Sequence, residues 1–234
     1  MQIEPIGHVS TPFKQKFGIP RQACLIKNAT AEIHFLPPYN DPQAFEGLLA
    51  FSHIWLQFGF DQHYDHDFKP RVRPPRLGGN EKLGVFATRS SFRPNRLGLS
   101  LVELLDVIVE NNRAHVVISC PDLLDRTPVF DIKPYIAYSD QATRSESSYA
   151  SVEPERSLGV KFSASVLEKL NILENSSANY GQLIKFIREI ISLDPRPAYK
   201  PKSDLRTYGI RLHDLDIKWV VRDACAEVID VKQI

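Results

Sequence analysis

The residues with the clearest chemical potential form a run of cations between residues 69 and 96. This stretch holds eight Lys or Arg side chains and one acid, Glu81, although the net charge of the 234-residue chain is only +1. Clustered cations bind a polyanion by displacing its counterions, and a solvated basic loop is the alternative. Within the run, Arg89 is followed by Arg93-Pro94-Asn95, whose proline ring stiffens the turn that presents both arginines. The run therefore predicts a phosphate-facing surface.

Two further stretches raise the question of a metal site. Asp122, Asp125 and Asp131 lack the close spacing and the glycine hinge of a hard-cation loop, so we interpret them as partners of Lys133 or arginine side chains, or of a ligand's hydroxyl groups. The stretch Gln62-His63-Tyr64-Asp65-His66 has no second Cys or His pair nearby to complete a zinc site. We therefore predict no metal, and a hydrolase built on His63, Asp65 and His66 is a minor alternative.

Other function classes are disfavoured by signals that the sequence lacks. No GxGxxG follows a predicted strand, so an adenosyl cofactor would have to be held by loops on a β scaffold. Cys24, Cys120 and Cys225 show no CxxC spacing, which argues against a disulfide framework and a thiolate zinc site. There is no run of eighteen apolar residues and no secretory layout at the N-terminus, so we expect a cytoplasmic protein without membrane contact.

The elements that must position these residues divide the chain into three parts. Residues 1–138 carry short apolar segments between Pro and Gly turns, which indicates a barrel or sandwich, with one helix at Asp41–Ala50. Residues 139–156 have the composition of a linker, and residues 157–234 predict a small α+β domain. We predict strands at Ile3–Val9, Ala31–Phe35, His53–Phe60, Gly84–Ala87, Gly98–Glu110, His115–Ser119, Tyr208–Leu212, Ile217–Arg222 and Ala226–Val231, and helices at Ser165–Leu173 and Gln182–Leu193.

Six motifs, taken in order, resemble the TsaA-like (YaeB, TrmO) family over nearly the whole chain. They are Pro20-Arg21-Gln22, Ser52-His53-Ile54-Trp55, Arg73-Pro74-Pro75-Arg76-Leu77-Gly78-Gly79, Phe86-Ala87-Thr88-Arg89-Ser90, Arg93-Pro94-Asn95 and Asp131-Ile132-Lys133-Pro134-Tyr135. The block Asp194-Pro195-Arg196-Pro197-Ala198-Tyr199 resembles the extra domain of bacterial members.

The resemblance implies a mainly β chain: a single-sheeted β-barrel methyltransferase domain that binds S-adenosyl-L-methionine, and a small C-terminal α+β domain that contacts tRNA. The implied reaction is methylation of N6 of N6-threonylcarbamoyladenosine (t6A) at position 37 of a threonine tRNA, giving m6t6A. The implied assembly is a homodimer with the cofactor near the subunit interface. A non-catalytic RNA-binding module is the alternative function.

The resemblance assigns the cofactor residues, whereas the catalytic and nucleic-acid candidates follow from the chemistry of the residues themselves. Cofactor binding falls to Pro20, Arg21, Gln22, Gln62, His63, Arg89, Leu99, Asp125, Arg126, Thr127 and Pro128. Arg89 and Arg93, with Asn95 in the same turn, are the catalytic candidates, and we expect one of the arginines to stabilise charge that develops during transfer. The predicted nucleic-acid contacts are Arg71, Arg73, Arg76, Arg196, Tyr199, Lys200 and Lys202. The C-terminal domain, with Lys200, Lys202, Arg206 and Tyr208, is predicted to grip the anticodon arm.

Two positions depart from the family pattern. Arg96 stands where a proline is usual, and Arg126 stands where a glycine is usual, which puts in doubt the close backbone approach that glycine would allow at a cofactor loop. We also expect deletion of the C-terminal domain to weaken tRNA binding more than cofactor binding.

Overall fold

A computed structural model of the chain describes residues 2–61, 68–78, 81–119, 121–177, 180–196 and 204–234. Its strands are β1 Gly7–Ser10, β2 Thr30–Phe35, β3 His53–Gly59, β4 Arg71–Val72, β5 Leu83–Gly84, β6 Leu97–Glu110, β7 Arg113–Ser119, β8 Pro128–Pro134, β9 Gly159–Phe162, β10 Asp204–Leu212, β11 Leu215–Arg222 and β12 Cys225–Gln233. Its α-helices are α1 Ala137–Asp140, α2 Ala164–Ser176 and α3 Leu183–Ser192.

A closed antiparallel barrel forms the first half of the molecule, with strand order β1-β2-β7-β6-β3-β8. Alternate side chains fill its interior: Ile54 and Leu56 of β3 and Val116 and Ile118 of β7 are completely buried. This period of two is what a strand with one buried face requires. The barrel confirms the mainly β fold class expected from the sequence.

The C-terminal part is a four-stranded sheet in the order β10-β11-β12-β9, with α2 and α3 packed on it. Strand β9 runs parallel to β12, whereas the other pairs are antiparallel. Helix α2 begins after Ser163, whose hydroxyl accepts the backbone N–H of Val166. Helix α3 buries Phe186, Ile187 and Ile190 in the core beside Trp219.

The connection between β1 and β2, residues 11–29, packs mainly into the C-terminal core, although Ala23 packs against the barrel core. Phe13 and Ile26 are buried among the side chains of α3 and the C-terminal sheet. The ring of Phe17 stacks on Trp219 with centroids 6.0 Å apart, and Phe13 forms a β-bridge with Leu212. This β1–β2 loop therefore fastens the barrel to the C-terminal part.

Several predicted elements need correction. The helix at Asp41–Ala50 is wrong: Pro42–Phe45 and Leu48–Ala50 are separate 3-10 turns, because Gly47 between them adopts a left-handed φ of 79°. The strand at Gly84–Ala87 is wrong beyond Gly84, since Val85–Ala87 is a 3-10 turn. Strands β4, β8 and β9 and the short helix α1 were not predicted, and the remaining predicted strands and helices are confirmed to within a few residues at each end. Within the described ranges, no helix is long and apolar enough to cross a membrane.

Candidate functional site

A large open cavity of about 1160 Å³ collects most of the predicted cations. Its described lining has seven basic side chains and one acid, Glu146. The basic residues are Arg21, Lys69, Arg71, Arg73, Arg76, Lys82 and Arg89. They come from the β1–β2 loop, from the segment around β4 and from the turn after β5. Six of the eight cations between residues 69 and 96 thus line one cavity, and its role as a phosphate-facing surface stays a prediction.

The turn after β5 is rigid because Arg93 binds its backbone. Arg93 Nη1 donates to the carbonyl oxygen of Thr88 at 2.8 Å, and the Thr88 hydroxyl donates to the carbonyl of Val85 at 2.8 Å. Val85 is buried and anchors the turn to the protein. Arg93 is thus half-buried inside the turn, whereas Arg89 lines the cavity. The structure gives these two predicted catalytic arginines different positions.

Arg89 joins the turn to the β1–β2 loop by donating a hydrogen bond to Gln22 Oε1. These two side chains were both predicted to bind cofactor, and the structure brings them into direct contact. Arg21 lies at the same rim: partial burial and the neighbouring Arg76 guanidinium lower its pKa, while Asp194 opposes the shift. Asp194 belongs to the turn after α3, so the C-terminal part reaches the edge of the cavity.

Near the Gln22–Arg89 pair lies Asp122, one of the three aspartates that we interpreted as partners of cationic side chains or of a ligand's hydroxyl groups. Its Oδ1 accepts the hydroxyl of Ser100 at 2.8 Å, and it also accepts the backbone N–H of Ala23. Burial raises the pKa of Asp122, and these bonds together with the charge of Arg89 partly offset the rise. Asp122 therefore connects the three segments that contain the predicted cofactor residues Gln22, Arg89 and Leu99. In the sequence, Asp122 is marked by its place after β7 in a Pro-Asp pair.

A second cavity of about 960 Å³ contains the other group of predicted cofactor residues, Asp125 and Arg126. Asp125 pairs with Lys14 at 2.9 Å and accepts the backbone N–H of Thr11 at 3.0 Å. None of the described residues lines both cavities. Within a single chain, the cavity that contains Asp125 and Arg126 is therefore separate from the cavity that holds the Gln22–Arg89 pair.

The departures at Arg126 and Arg96 both fall on left-handed backbone. Arg126 has a φ of 65°, and its N–H still donates to the carbonyl of Val9 at 2.7 Å while the side chain is exposed. A glycine is the natural residue for such a conformation. Arg96 has a φ of 52°, which a proline ring cannot adopt, so this turn cannot have the shape that the usual proline would impose.

The remaining predicted cofactor and catalytic residues lie apart from the cavities. Of the cavities that the described residues form, Leu99 lines neither and is 53% exposed on β6. Asn95 is also exposed and outside both linings as described, and Pro20 is buried. Thr127 is buried, with its hydroxyl donating to the carbonyl of Leu124 at 2.7 Å, and half-buried Pro128 begins β8. Gln62 and His63 lie outside the described residues.

The predicted nucleic-acid contacts divide in the same way. Arg71, Arg73 and Arg76 line the basic cavity. Arg196 needs correction: it is only 4% exposed, and its guanidinium binds both carboxylate oxygens of Asp194, at 2.7 and 2.8 Å. A buried and bidentately paired guanidinium is not presented to phosphate. Tyr199, Lys200 and Lys202 lie outside the described residues.

The segment predicted as a linker forms one wall of the basic cavity. Residues 146–150 and Pro154 line it, and Arg76 donates to the carbonyl of Val152. The single aromatic side chain of this polar stretch, Tyr149, donates to the carbonyl of Ala87 at 3.5 Å.

Among the described residues, no group of three or more His, Cys, Asp or Glu side chains is arranged to hold a metal ion. The stretch His63 to His66 lies outside them.

Comparisons with known proteins agree with these observations. The family model for the tRNA-methyltransferase O N-terminal domain matches residues 8–141, and that for the TrmO C-terminal domain matches residues 155–234. An Escherichia coli protein named tRNA (adenine(37)-N6)-methyltransferase is 46% identical over 228 residues, which are 97% of this chain and 96% of that protein.

Two further similarities concern the cofactor and the fold. A Methanothermobacter thermautotrophicus protein named "Probable S-adenosyl-L-methionine-binding protein" is 41% identical over 135 residues, which are 58% of this chain and 90% of that protein. The crystal structure of TrmO from Pseudomonas aeruginosa matches with a TM-score of 0.80 and 33% identity, over 99% of this chain and 98% of that one.

Proposed function

Because the chain belongs to the tRNA-methyltransferase O family, we propose that it transfers a methyl group from S-adenosylmethionine to N6 of adenosine 37 in tRNA. The finer proposal is that the substrate is t6A in a threonine tRNA and the product m6t6A. The observation that carries the proposal is the basic cavity with the Gln22–Arg89 pair at its rim.

The charge of the cavity favours RNA as one of its occupants. Seven cations around one open space repel each other and repel the positive sulfonium of the cofactor, so an anionic partner must compensate them. The phosphates of an anticodon loop supply that charge. A t6A nucleoside adds the carboxylate of its threonyl group, which a guanidinium binds through two parallel hydrogen bonds. This second anion supports the modified nucleoside as substrate.

The size of the cavity allows the cofactor and a nucleotide to lie together. Its volume of about 1160 Å³ exceeds the range of roughly 300–1,000 Å³ that is usual for small-molecule sites. Arg21, Gln22 and Arg89 offer donors that fit the carboxylate of the cofactor's amino-acid end. When bound, S-adenosylmethionine supplies a methyl group on an electrophilic sulfonium. Asp125, Arg126 and Leu99 would then complete the site of a partner subunit in the proposed homodimer.

The residues of this chain act mainly by positioning. Transfer would form the bond from N6 to the methyl carbon as the methyl–sulfur bond breaks, releasing S-adenosylhomocysteine, with the N6 proton passing to solvent. It needs the nitrogen, the methyl carbon and the leaving sulfur in line, and correct placement supplies much of the rate. Arg89 faces the cavity and is held by Gln22, so it is the better candidate for stabilising negative charge that develops on the carbamoyl-substituted base. Arg93 holds the turn that carries Arg89 and is a positioning residue.

The test is methyl incorporation from labelled S-adenosylmethionine into two threonine tRNAs, one carrying t6A and one unmodified, with the product nucleoside identified by mass spectrometry. Incorporation into the t6A tRNA alone supports both reaction and substrate. Incorporation into the unmodified tRNA contradicts the requirement for t6A. No incorporation into either, with no heat on titration with S-adenosylmethionine, favours the RNA-binding module.

Cytoplasmic localisation stays a prediction.

A further inference from the structure

Two phenylalanine rings lie exposed next to each other at the rim of the basic cavity. Phe86 is 71% exposed and lines the cavity, and Phe68 is 48% exposed. Their ring centroids are 6.4 Å apart, with 31° between the ring planes. Large apolar rings that face solvent together, within a surface of cations, mark a binding surface. We refer to Phe68 and Phe86 as the aromatic shelf.

The protein holds Phe86 in place before any ligand arrives. Phe86 is the middle residue of the Val85–Ala87 turn, whose first residue is buried and whose backbone Arg93 binds through Thr88. The Arg93 guanidinium also lies 5.6 Å from the centroid of the Phe86 ring. A ring fixed in this way loses little conformational entropy when a partner stacks on it.

The charges around the aromatic shelf identify its partner. Lys69 follows Phe68 directly, and its ammonium lies 4.2 Å above the ring of Phe92, which also lines the cavity. Arg71 and Arg89 line the same space. Rings for bases and cations for phosphates are the combination by which proteins bind unpaired RNA. A second copy of the chain would cover these cations without phosphates to match them, unless its own charges compensated them.

We propose that the aromatic shelf stacks an unpaired nucleobase of the tRNA anticodon loop beside the target adenosine. The inference rests on the proposed function and extends it, because it assigns base contact to Phe86 and Phe68 and leaves phosphate contact to the cations. The base contact and the phosphate contacts contribute separately to affinity, and the two contributions respond differently to salt. Phosphate contacts weaken as salt rises, whereas stacking on an uncharged ring does not add to that dependence.

The test compares Phe86→Leu with Phe86→Tyr in the full-length protein. The leucine variant keeps an apolar side chain but removes the ring, and the tyrosine variant restores the ring. For t6A-containing threonine tRNA we expect the leucine variant to bind about 10-fold more weakly and the tyrosine variant to bind within about 2-fold of wild type. The slope of log Kd against log salt should stay unchanged for both. Arg76→Gln, as a contrast, should reduce the slope by roughly 0.7–0.9.

Three outcomes would overturn the inference while leaving the proposed function standing. Wild-type affinity in Phe86→Leu would show that no base stacks on the ring. An equal loss of affinity for S-adenosylmethionine, measured by calorimetry, would show that the ring serves the cofactor. A change of oligomeric state in light scattering would place the ring in a subunit interface. If the wild-type protein neither bound nor methylated tRNA, the proposed function itself would fail.

Discussion

Glu189 of α3 binds Asn28 of the β1–β2 loop through both carboxylate oxygens. Asn28 Nδ2 donates to Oε1 at 2.6 Å, and the Asn28 backbone N–H donates to Oε2 at 3.2 Å. Arg156 adds a bond from Nη2 to the carbonyl of Leu25 at 2.9 Å. The loop that carries Arg21 and Gln22 is therefore held by the C-terminal part. We therefore expect the C-terminal domain to influence the loop that is predicted to bind the cofactor.

The first prediction concerns Glu189→Ala. Removing the carboxylate leaves two donors of Asn28 without their partner, and a hydrogen bond to a charged group contributes about 1.5–3 kcal/mol. We expect the loop to loosen and the Kd for S-adenosylmethionine to rise about 10-fold in calorimetric titration. The matched control is Glu168→Ala, at an exposed position of α2. If Glu189→Ala weakened tRNA binding but left cofactor binding intact, the loop would not depend on this contact.

The second prediction concerns Asp122→Asn, which keeps the shape and removes the charge. Because burial raises the pKa of Asp122, its ionised form is less favourable in the folded state than in the unfolded state. The variant should therefore have a higher Tm than wild type at neutral pH. The difference should shrink as pH falls through the raised pKa and vanish below the ordinary value of 3.8, where the wild-type carboxyl is neutral in both states.

The same substitution should weaken cofactor binding, since Arg89 loses its opposing charge. Thermal melts between pH 3 and 8 and calorimetric titration at pH 7 measure the two effects. Glu103→Gln, at an exposed position of β6, is the control and should change neither. A lower Tm at pH 7 for Asp122→Asn would contradict the prediction, because it would mean that the charge stabilises the fold.

Local patterns in the sequence predicted five of the six barrel strands and α3, whereas contacts between residues far apart in the sequence could not be predicted from them. The alternation around Ile54 and Leu56 and the helical spacing of Ile187 and Ile190 each follow from one buried face. Asn28 and Glu189, by contrast, lie 161 residues apart, and no period in the chain connects them. The basic run predicted a phosphate-facing surface, and six of its cations line one cavity. Which arginines face it depends on pairing: Arg93 turns inward to backbone carbonyls, and Arg196 pairs with Asp194.

The third prediction is that Arg126→Gly stabilises the protein. Left-handed backbone destabilises a non-glycine residue by about 1–2 kcal/mol, and glycine removes this strain. Glycine also has more freedom in the unfolded chain, which lowers the stability of the folded state by about 0.4–1 kcal/mol. With φ at 65° and the side chain exposed, we expect a net gain of about 0.5–1 kcal/mol and a Tm higher by roughly 2–3 °C in calorimetry. Arg126→Ala should give no such gain, because alanine has the same backbone strain. An equal gain for alanine would point to the removed charge instead.

The fourth prediction is that Tyr180→Phe changes stability at both ends of the pH range. Tyr180 donates to Asp214, and burial followed by this carboxylate raises the pKa of Tyr180 to about 12. The contribution of this hydrogen bond to wild-type stability should therefore be fully present below pH 10 and be lost between pH 10 and 12. The phenylalanine variant has no hydroxyl group to ionise, so it should show no such loss. The pKa of Asp214 is lowered chiefly by Tyr180, so wild type should also lose stability as pH falls below the ordinary value of 3.8.

At neutral pH the variant should lose about 1 kcal/mol, because Asp214 is half-buried and keeps its bond from Gln233 at 2.7 Å. Melts from pH 3 to 12 measure both limbs, with Tyr138→Phe as the control, since that side chain is 92% exposed. An alkaline step of wild-type size in Tyr180→Phe would assign it to a different group. A neutral Tm equal to that of wild type would mean that the hydroxyl bond does not stabilise the C-terminal core.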